Sequence, residues 1–244
     1  MRIAVVSDIH ANLAALDEVL EDVQRRGADL TVNLGDCCAG PLWPRETFER
    51  LESRRFPTVR GNHDRWIAEV PRERLGLASQ FEFDQLLPTQ REALGALPTS
   101  LQLDGDVLAV HGTPLDDATY LLEQRIESRF VLAELSLIRE RLGQTRASLV
   151  LCGHSHNQGM LQVPGGPLIV NPGSVGCPVF ADSPEACRWD VRAPHARYAI
   201  VTRSKGHWTT EMIALAYDWD YAARRALENG RLEWSRAYAT GSAN

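Results

Sequence analysis

Five short apolar runs in this chain each end in a cluster of Asp, Asn or His, and no other feature constrains the fold as much. Residues 2–7 lead into Asp8-Ile9-His10, and 30–34 into Gly35-Asp36. Residues 57–60 lead into Gly61-Asn62-His63-Asp64, 107–110 into His111-Gly112, and 149–152 into Gly153-His154-Ser155-His156. Runs of this kind alternate with helical patterns, which implies parallel strands joined by right-handed crossovers. In such sheets the loops beyond the strand carboxyl ends form the ligand crevice. The five ends would bring Asp8, Asp36, Asn62 and five of the chain's seven His to one rim.

The alternation is clearest near the N-terminus. Asn12 reads as an N-cap, and Leu13, Leu16, Val19, Leu20 and Val23 recur at helical spacing. Arg25 and Arg26 complement the last turn and Gly27 ends it. Residues 30–34 form a second strand, 44–54 a helix with Pro in its first turn, and 57–59 a third strand. Residues 65–100 lack strand signals and are expected as a helical rim or lid, with a short helix opened by a capping box at 88–92. Hairpins are expected at 101–110, 159–170 and 198–213. Val131, Leu135, Ile138 and Leu142 mark a helix ended by Gly143, and a last helix runs over 217–228. No repeat or linker interrupts the pattern, so one domain over 1–244 is expected.

Composition narrows the function classes. No apolar stretch approaches the ~18 residues of a membrane span. The first apolar run also meets Asp8 and His10 too early for a signal peptide. A cytoplasmic protein is therefore expected, with no membrane partner. A net charge of −6 argues against a broad basic face for nucleic acid, yet leaves room for a phosphate-bearing substrate at a metal site. The five cysteines (Cys37, Cys38, Cys152, Cys177 and Cys187) are odd in number and lack a C-x-x-C motif, so buried thiols are expected rather than disulfides or structural zinc.

Asp and His buried together without a cation are electrostatically costly, and a metal pair resolves that cost. Imidazole, carboxylate and amide oxygen suit Mn, Fe, Zn, Ni or Co better than an all-oxygen Ca or Mg cage. Seven candidate ligands, Asp8, His10, Asp36, Asn62, His111, His154 and His156, are too many for one ion. Two divalent ions at ~3.5–4 Å sharing one carboxylate would use them all. His63 is left over.

In order and spacing these five blocks resemble those of the calcineurin-like metallophosphoesterase superfamily, over residues 1 to about 175. The Asn171-Pro172-Gly173-Ser174 turn resembles its small single-domain bacterial branch. The resemblance implies an α/β fold, a four-layer α/β/β/α sandwich of two mixed β-sheets flanked by helices. It implies one metal on Asp8, His10 and His156, the other on Asn62, His111 and His154, and Asp36 bridging. It places His63 over the substrate, supported by Asp64. It implies hydrolysis of phosphomono- or phosphodiesters, including nucleotide types such as dinucleoside polyphosphates or cyclic nucleotides. A metal-bridging hydroxide would attack while His63 assists as acid.

Some members of this superfamily have lost turnover and serve as interaction scaffolds, so a non-catalytic metal-binding scaffold is the alternative. Those members lack part of the site, whereas this chain keeps every element. A DNA nuclease is disfavoured by the acidic balance. The chain departs from the family pattern at Cys177-Pro178-Val179-Phe180, where many relatives continue Gln-Pro-Arg, and the variable loop then extends over 176–197. Arg188 and Arg192 are candidates for the displaced basic contact. Arg60, beside Asn62-His63, and the Gly173-Ser174 amides, as a backbone nest, are further candidate substrate contacts.

Overall fold

Four of the five apolar runs fold as strands, the first of them buried on both faces. In strand β1 (Arg2–Val6), Ile3 and Val5 face one core while Ala4 and Val6 face another. The computed structural model describes residues 1–127, 129–181, 188–190 and 192–242; Cys187 and the Arg188 side chain lie outside what it describes. After β1 come α1 (Leu13–Arg26), β2 (Leu30–Asn33), α2 (Pro44–Arg54), α3 (Asn62–Glu69), a 3-10 turn, α4 (Leu77–Gln85) and α5 (Pro88–Gly95). Next are β3 (Ser100–Leu103), β4 (Val107–Val110), β5 (Glu123–Ile126), β6 (Arg129–Leu132), α6 (Leu135–Leu142) and β7 (Leu149–Leu151). The remainder is β8 (Gln158–Gln162), β9 (Leu168–Pro172), β10 (Val179–Ala181), β11 (Arg188–Asp190), β12 (Ala196–Ser204), β13 (His207–Leu215), α7 (Trp219–Glu228) and α8 (Leu232–Thr240).

Two mixed sheets carry the site. One has the order β13-β12-β1-β2, with only β1 and β2 parallel; the other has the order β3-β4-β7-β9-β8, with β4, β7 and β9 parallel. Ile3, Val5, Val32, Val107, Ala109, Leu149, Leu151 and Val170 pack the sheets together. Leu16 and Val19 of α1 and Ala222 and Ala226 of α7 cover the first sheet through Tyr198 and Ile200. Ile138 and Leu142 of α6 cover the second through Val150 and Ile169. Each fully buried Val, Leu or Ile contributes about 1.5–3 kcal/mol. The layers run helix, sheet, sheet, helix, as expected.

Helix α1 begins and ends where its caps require. The Asn12 side chain accepts from the Ala15 amide at 3.1 Å and donates to the Gly176 carbonyl at 3.0 Å, tying the helix to the loop beyond β9. Gly27 closes it in the left-handed region, φ 65°.

Several expectations are corrected. The run at 57–59 makes a single bridge, Thr58 to Asn33, because Pro57 has no amide to donate and the Arg60 amide turns away to the Pro98 carbonyl. Val131 belongs to the β5–β6 hairpin and not to α6, which starts at Leu135. The capping box of α5 is half formed: Gln90 Oε1 accepts from the Leu87 amide at 2.9 Å, but Leu87 has no side-chain oxygen to return the bond. Helix α8, unexpected from the sequence, buries Ala237 and Tyr238.

Candidate metal centre

All five polar clusters meet at one end of the two sheets. Asp8 and His10 follow β1, Asp36 follows β2, and Asn62 opens α3. His111 follows β4, while His154 and His156 follow β7. All seven side chains are buried, Asp8 completely. Five of them sit at positive φ: Asp8 54°, His10 49°, Asp36 55°, His154 68° and His156 58°. A left-handed turn folds the chain back at once, so residues two apart aim their side chains into the same space. For a residue with a Cβ this costs about 1–2 kcal/mol.

Backbone carbonyls orient the imidazoles. Nδ1 of His10, His111 and His156 donates to the carbonyls of Ala39 (2.7 Å), Leu34 (2.7 Å) and Cys177 (3.3 Å), which leaves Nε2 as the inward lone pair. His154 is reversed: Nε2 donates to the Ala118 carbonyl at 3.0 Å, so Nδ1 carries its lone pair. Acceptors then face acceptors. His10 Nε2 lies 3.0 Å from His156 Nε2, and His111 Nε2 lies 3.0 Å from Asn62 Oδ1. Asp8 Oδ1 is buried with no hydrogen-bond partner, 3.3 Å from His156 Nε2. With the imidazoles neutral these contacts repel, so a proton or a cation has to stand among them.

Electrostatics shows the same demand. Burial alone would raise the Asp8 carboxyl, but His156 and His111 pull it down to about 2. His111 and His63 draw Asp36 well below the usual carboxylate range against its burial. Burial also works against the charged form of His111, yet Asp36 and Asp8 lift it to about 9, and Asp8 lifts His156 in the same way. His10 falls to about 3 and His154 to about 4, through burial and then a charged histidine neighbour, His156 or His111. Protons thus occupy some of the positions that a divalent cation would take.

Among the described residues, three groups of donors could hold a metal: Asp8, His10 and Asp36; Asp36, His111 and His154; and His10, His156 and Cys177. Asp36 is common to the first two. The Cys177 thiol donates to the Val179 carbonyl at 2.9 Å, and burial holds the Cys37, Cys38 and Cys152 thiols well above their ordinary range. The donor set is therefore imidazole, carboxylate and amide, which fits divalent transition metals.

His63 and Asp64 occupy different surroundings. The half-buried His63 ring lies edge-on between His10 and Trp66, at centroid distances of 5.5 and 4.8 Å, and its Nδ1 has no partner. Burial, with the His111 and His156 charges, holds its pKa below the ordinary value despite Asp36. Asp64 makes no hydrogen bond to His63 Nδ1. Its carboxylate accepts from the amides of Asp36 (2.8 Å), Cys37 (3.0 Å) and Gly61 (2.9 Å), pinning the Asp36 loop to the start of α3. A Cβ on Gly61 would collide with Asp36 Oδ1, so only glycine lets these two loops approach.

The candidate substrate contacts are engaged within the chain. The Gly173 amide donates to Asn171 Oδ1 at 2.9 Å, which removes it from a phosphate nest. Ser174 Oγ donates to the Asp8 carbonyl (2.7 Å) and accepts from the Cys177 amide (2.8 Å), acting as a strut. Arg60 donates to the Gly95 carbonyl at 3.0 Å, while its Nε has no partner. Sequence reasoning missed the parts that fix the histidines: the Ala39, Leu34, Cys177 and Ala118 carbonyls, and Tyr120, whose ring stacks on His154 at 4.6 Å and 18°. Main-chain carbonyls leave no signature in a sequence.

A family model, the calcineurin-like phosphoesterase superfamily domain, matches residues 1–193. The chain belongs to that superfamily. A metallophosphoesterase from Sphaerobacter thermophilus is similar at 27% identity and TM-score 0.73, over 99% of this chain and 100% of that one. A hypothetical protein from Pyrococcus horikoshii shares the fold at 19% identity and TM-score 0.75, over 99% and 98%. An uncharacterized protein of Methanocaldococcus jannaschii is 26% identical over 258 residues, 95% of this chain and 94% of the relative. Membership makes the chain a metal-dependent phosphoesterase by family, with His and Asp clusters able to hold the metals. No helix among the described residues is long and apolar enough to cross a membrane.

Proposed function

We propose that the chain is a dinuclear hydrolase of phosphomono- or phosphodiesters. Asp8, His10 and His156 would hold one divalent transition-metal ion and Asn62, His111 and His154 the other, with Asp36 available to both. The observation that carries this reading is the facing of buried lone pairs, His10 against His156 and His111 against Asn62, beside the unpartnered Asp8 Oδ1. One ion does not relieve two such contacts, whose histidines His10 and His111 fall in two donor groups that share Asp36.

Bound divalent ions supply Lewis acidity and lower the pKa of water from ~15.7 toward ~7. The chain's own residues do the rest. Asp36 and Asp8 keep their charge at every working pH. Asp64 locks the Asp36 backbone, so the shared carboxylate stays in place during turnover. His63 donates a proton to the leaving oxygen, since its Nδ1 is uncommitted and its ring stands beside His10. A phosphate anion within reach raises the proton affinity that burial lowers. General acid help of this kind is worth about 10²–10⁴ in rate.

The test is a panel of aryl phosphate, bis-aryl phosphate, diadenosine polyphosphates and cyclic nucleotides, assayed with Mn²⁺ beside a metal count. Two ions per chain and turnover of at least one ester class are expected. Two-metal protein that hydrolyses none of them would leave the scaffold reading in its place.

A further inference from the structure

Three ligands assigned to one ion come from three elements, and a single loop follows the first in sequence, touches the second and grips the helix that carries the third. That loop, residues 112–120, begins directly after His111. Its Ala118 carbonyl accepts from His154 Nε2 at 3.0 Å, and its Tyr120 ring lies on the face of the same imidazole. It meets α3, whose first residue is Asn62, through Arg65: Nε and Nη2 reach the two Asp117 oxygens at 2.8 Å each. The geometry is the side-by-side fork of guanidinium on carboxylate, and the Asp117 side chain is only 10% exposed.

The loop is internally stapled. Thr113 Oγ1 accepts from the Leu115 and Asp116 amides (3.3 and 3.0 Å), and Asp116 Oδ1 accepts from the Ala118 amide (2.8 Å). A Cβ on Gly112 would stand 2.6 Å from the Thr119 carbonyl oxygen and 2.7 Å from that of Asp116, so the loop folds back over a glycine. A unit this stiff passes a shift at Asp117 to Ala118 and Tyr120. The ligands of the other ion are oriented elsewhere, His10 by Ala39 and His156 by Cys177.

We infer that the Arg65–Asp117 pair is a positioning device that sets the affinity of one cation site, the site of Asn62, His111 and His154, and leaves the other untouched. The inference rests on the metal assignment proposed above. Groups that orient metal ligands typically change affinity by ~10–100-fold when altered, and a change of that size is expected here for one ion of the two.

The experiment loads metal-stripped full-length protein with Mn²⁺ and follows it by calorimetry and electron paramagnetic resonance. Wild type is expected to take up two ions with a spin-coupled signal. D117N and R65Q should bind one ion as wild type does and the second ~10–100-fold more weakly, with isolated-Mn²⁺ spectra at one equivalent. The reversed pair R65D/D117R should recover part of the second affinity, a result that general loosening of the fold does not produce. Unchanged binding of both ions in folded D117N and R65Q, or equal weakening of both, overturns the inference. Wild type that takes up fewer than two ions overturns the metal assignment, and the inference with it.

Discussion

Replacing Glu123 by Gln should stabilise the protein, and by an amount that grows with pH. Glu123 opens β5, is 5% exposed, and its Oε2 has no hydrogen-bond partner. Burial pushes its carboxyl from 4.5 to about 7 against the hydrogen bonds from Ser155 and Asn157. As pH rises from 4.5, the unfolded chain loses this proton while the folded chain keeps it, so the wild type weakens until pH passes 7. A tenfold difference in proton affinity is worth about 1.4 kcal/mol, so the loss approaches about 3 kcal/mol above pH 8. Gln matches the protonated acid in shape and carries no such linkage. Stability of E123Q and wild type should coincide near pH 4 and diverge to about 3 kcal/mol at pH 8. For a chain this size that is roughly 6–12 °C in Tm. Urea melts at half-unit pH steps, both proteins held in chelator so that metal linkage cancels, measure the difference directly. A gap that stays flat with pH, or shrinks as pH rises, would refute the reasoning.

Other outcomes follow from the same geometry. His63→Ala should retain metal and lose about 10²–10⁴ in kcat, whereas Asp36→Ala should lose metal and activity together; metal analysis of the two purified variants separates the roles. Metal uptake at pH 7 should release protons, because Asp36 and Asp8 lift His111 to about 9 and Asp8 lifts His156 above its ordinary value in the metal-free chain. Affinity should therefore fall as pH is lowered, and calorimetry in buffers of different ionisation enthalpy counts the protons. Cys37, Cys38 and Cys152, with thiols held up by burial, should resist a thiol reagent at pH 8 until the chain is unfolded, as peptide mapping would show.

The polar clusters after β1, β4 and β7 were legible because they follow buried apolar runs, such as Ile3 to Val6, and such runs have few alternatives to a central strand; the Asn62-His63-Asp64 cluster follows a run that makes one bridge only. Helix α1 was legible through Asn12 and Gly27. The β5–β6 hairpin was not. Val131 lies four residues before Leu135 and imitates a helical repeat, while Arg125, Ile126 and Leu132 point to solvent and break the alternation. The amide contacts of Asp64 were not legible for a geometric reason: its neighbour in sequence is His63, but consecutive helix residues point about 100° apart, and the carboxylate reaches three amides. The Arg65–Asp117 pair joins residues 52 apart and had no local signal at all.

Five of the seven proposed donors ride on torsions that folding alone would assign to glycine or asparagine. Any search that rewards thermal robustness will find relief at those five places and strip out the chemistry in the process. Grafting the same donors onto an idealised scaffold, whose turns avoid such torsions, would scatter them. The chain carries its reactivity in the part of its backbone that an optimiser would correct first.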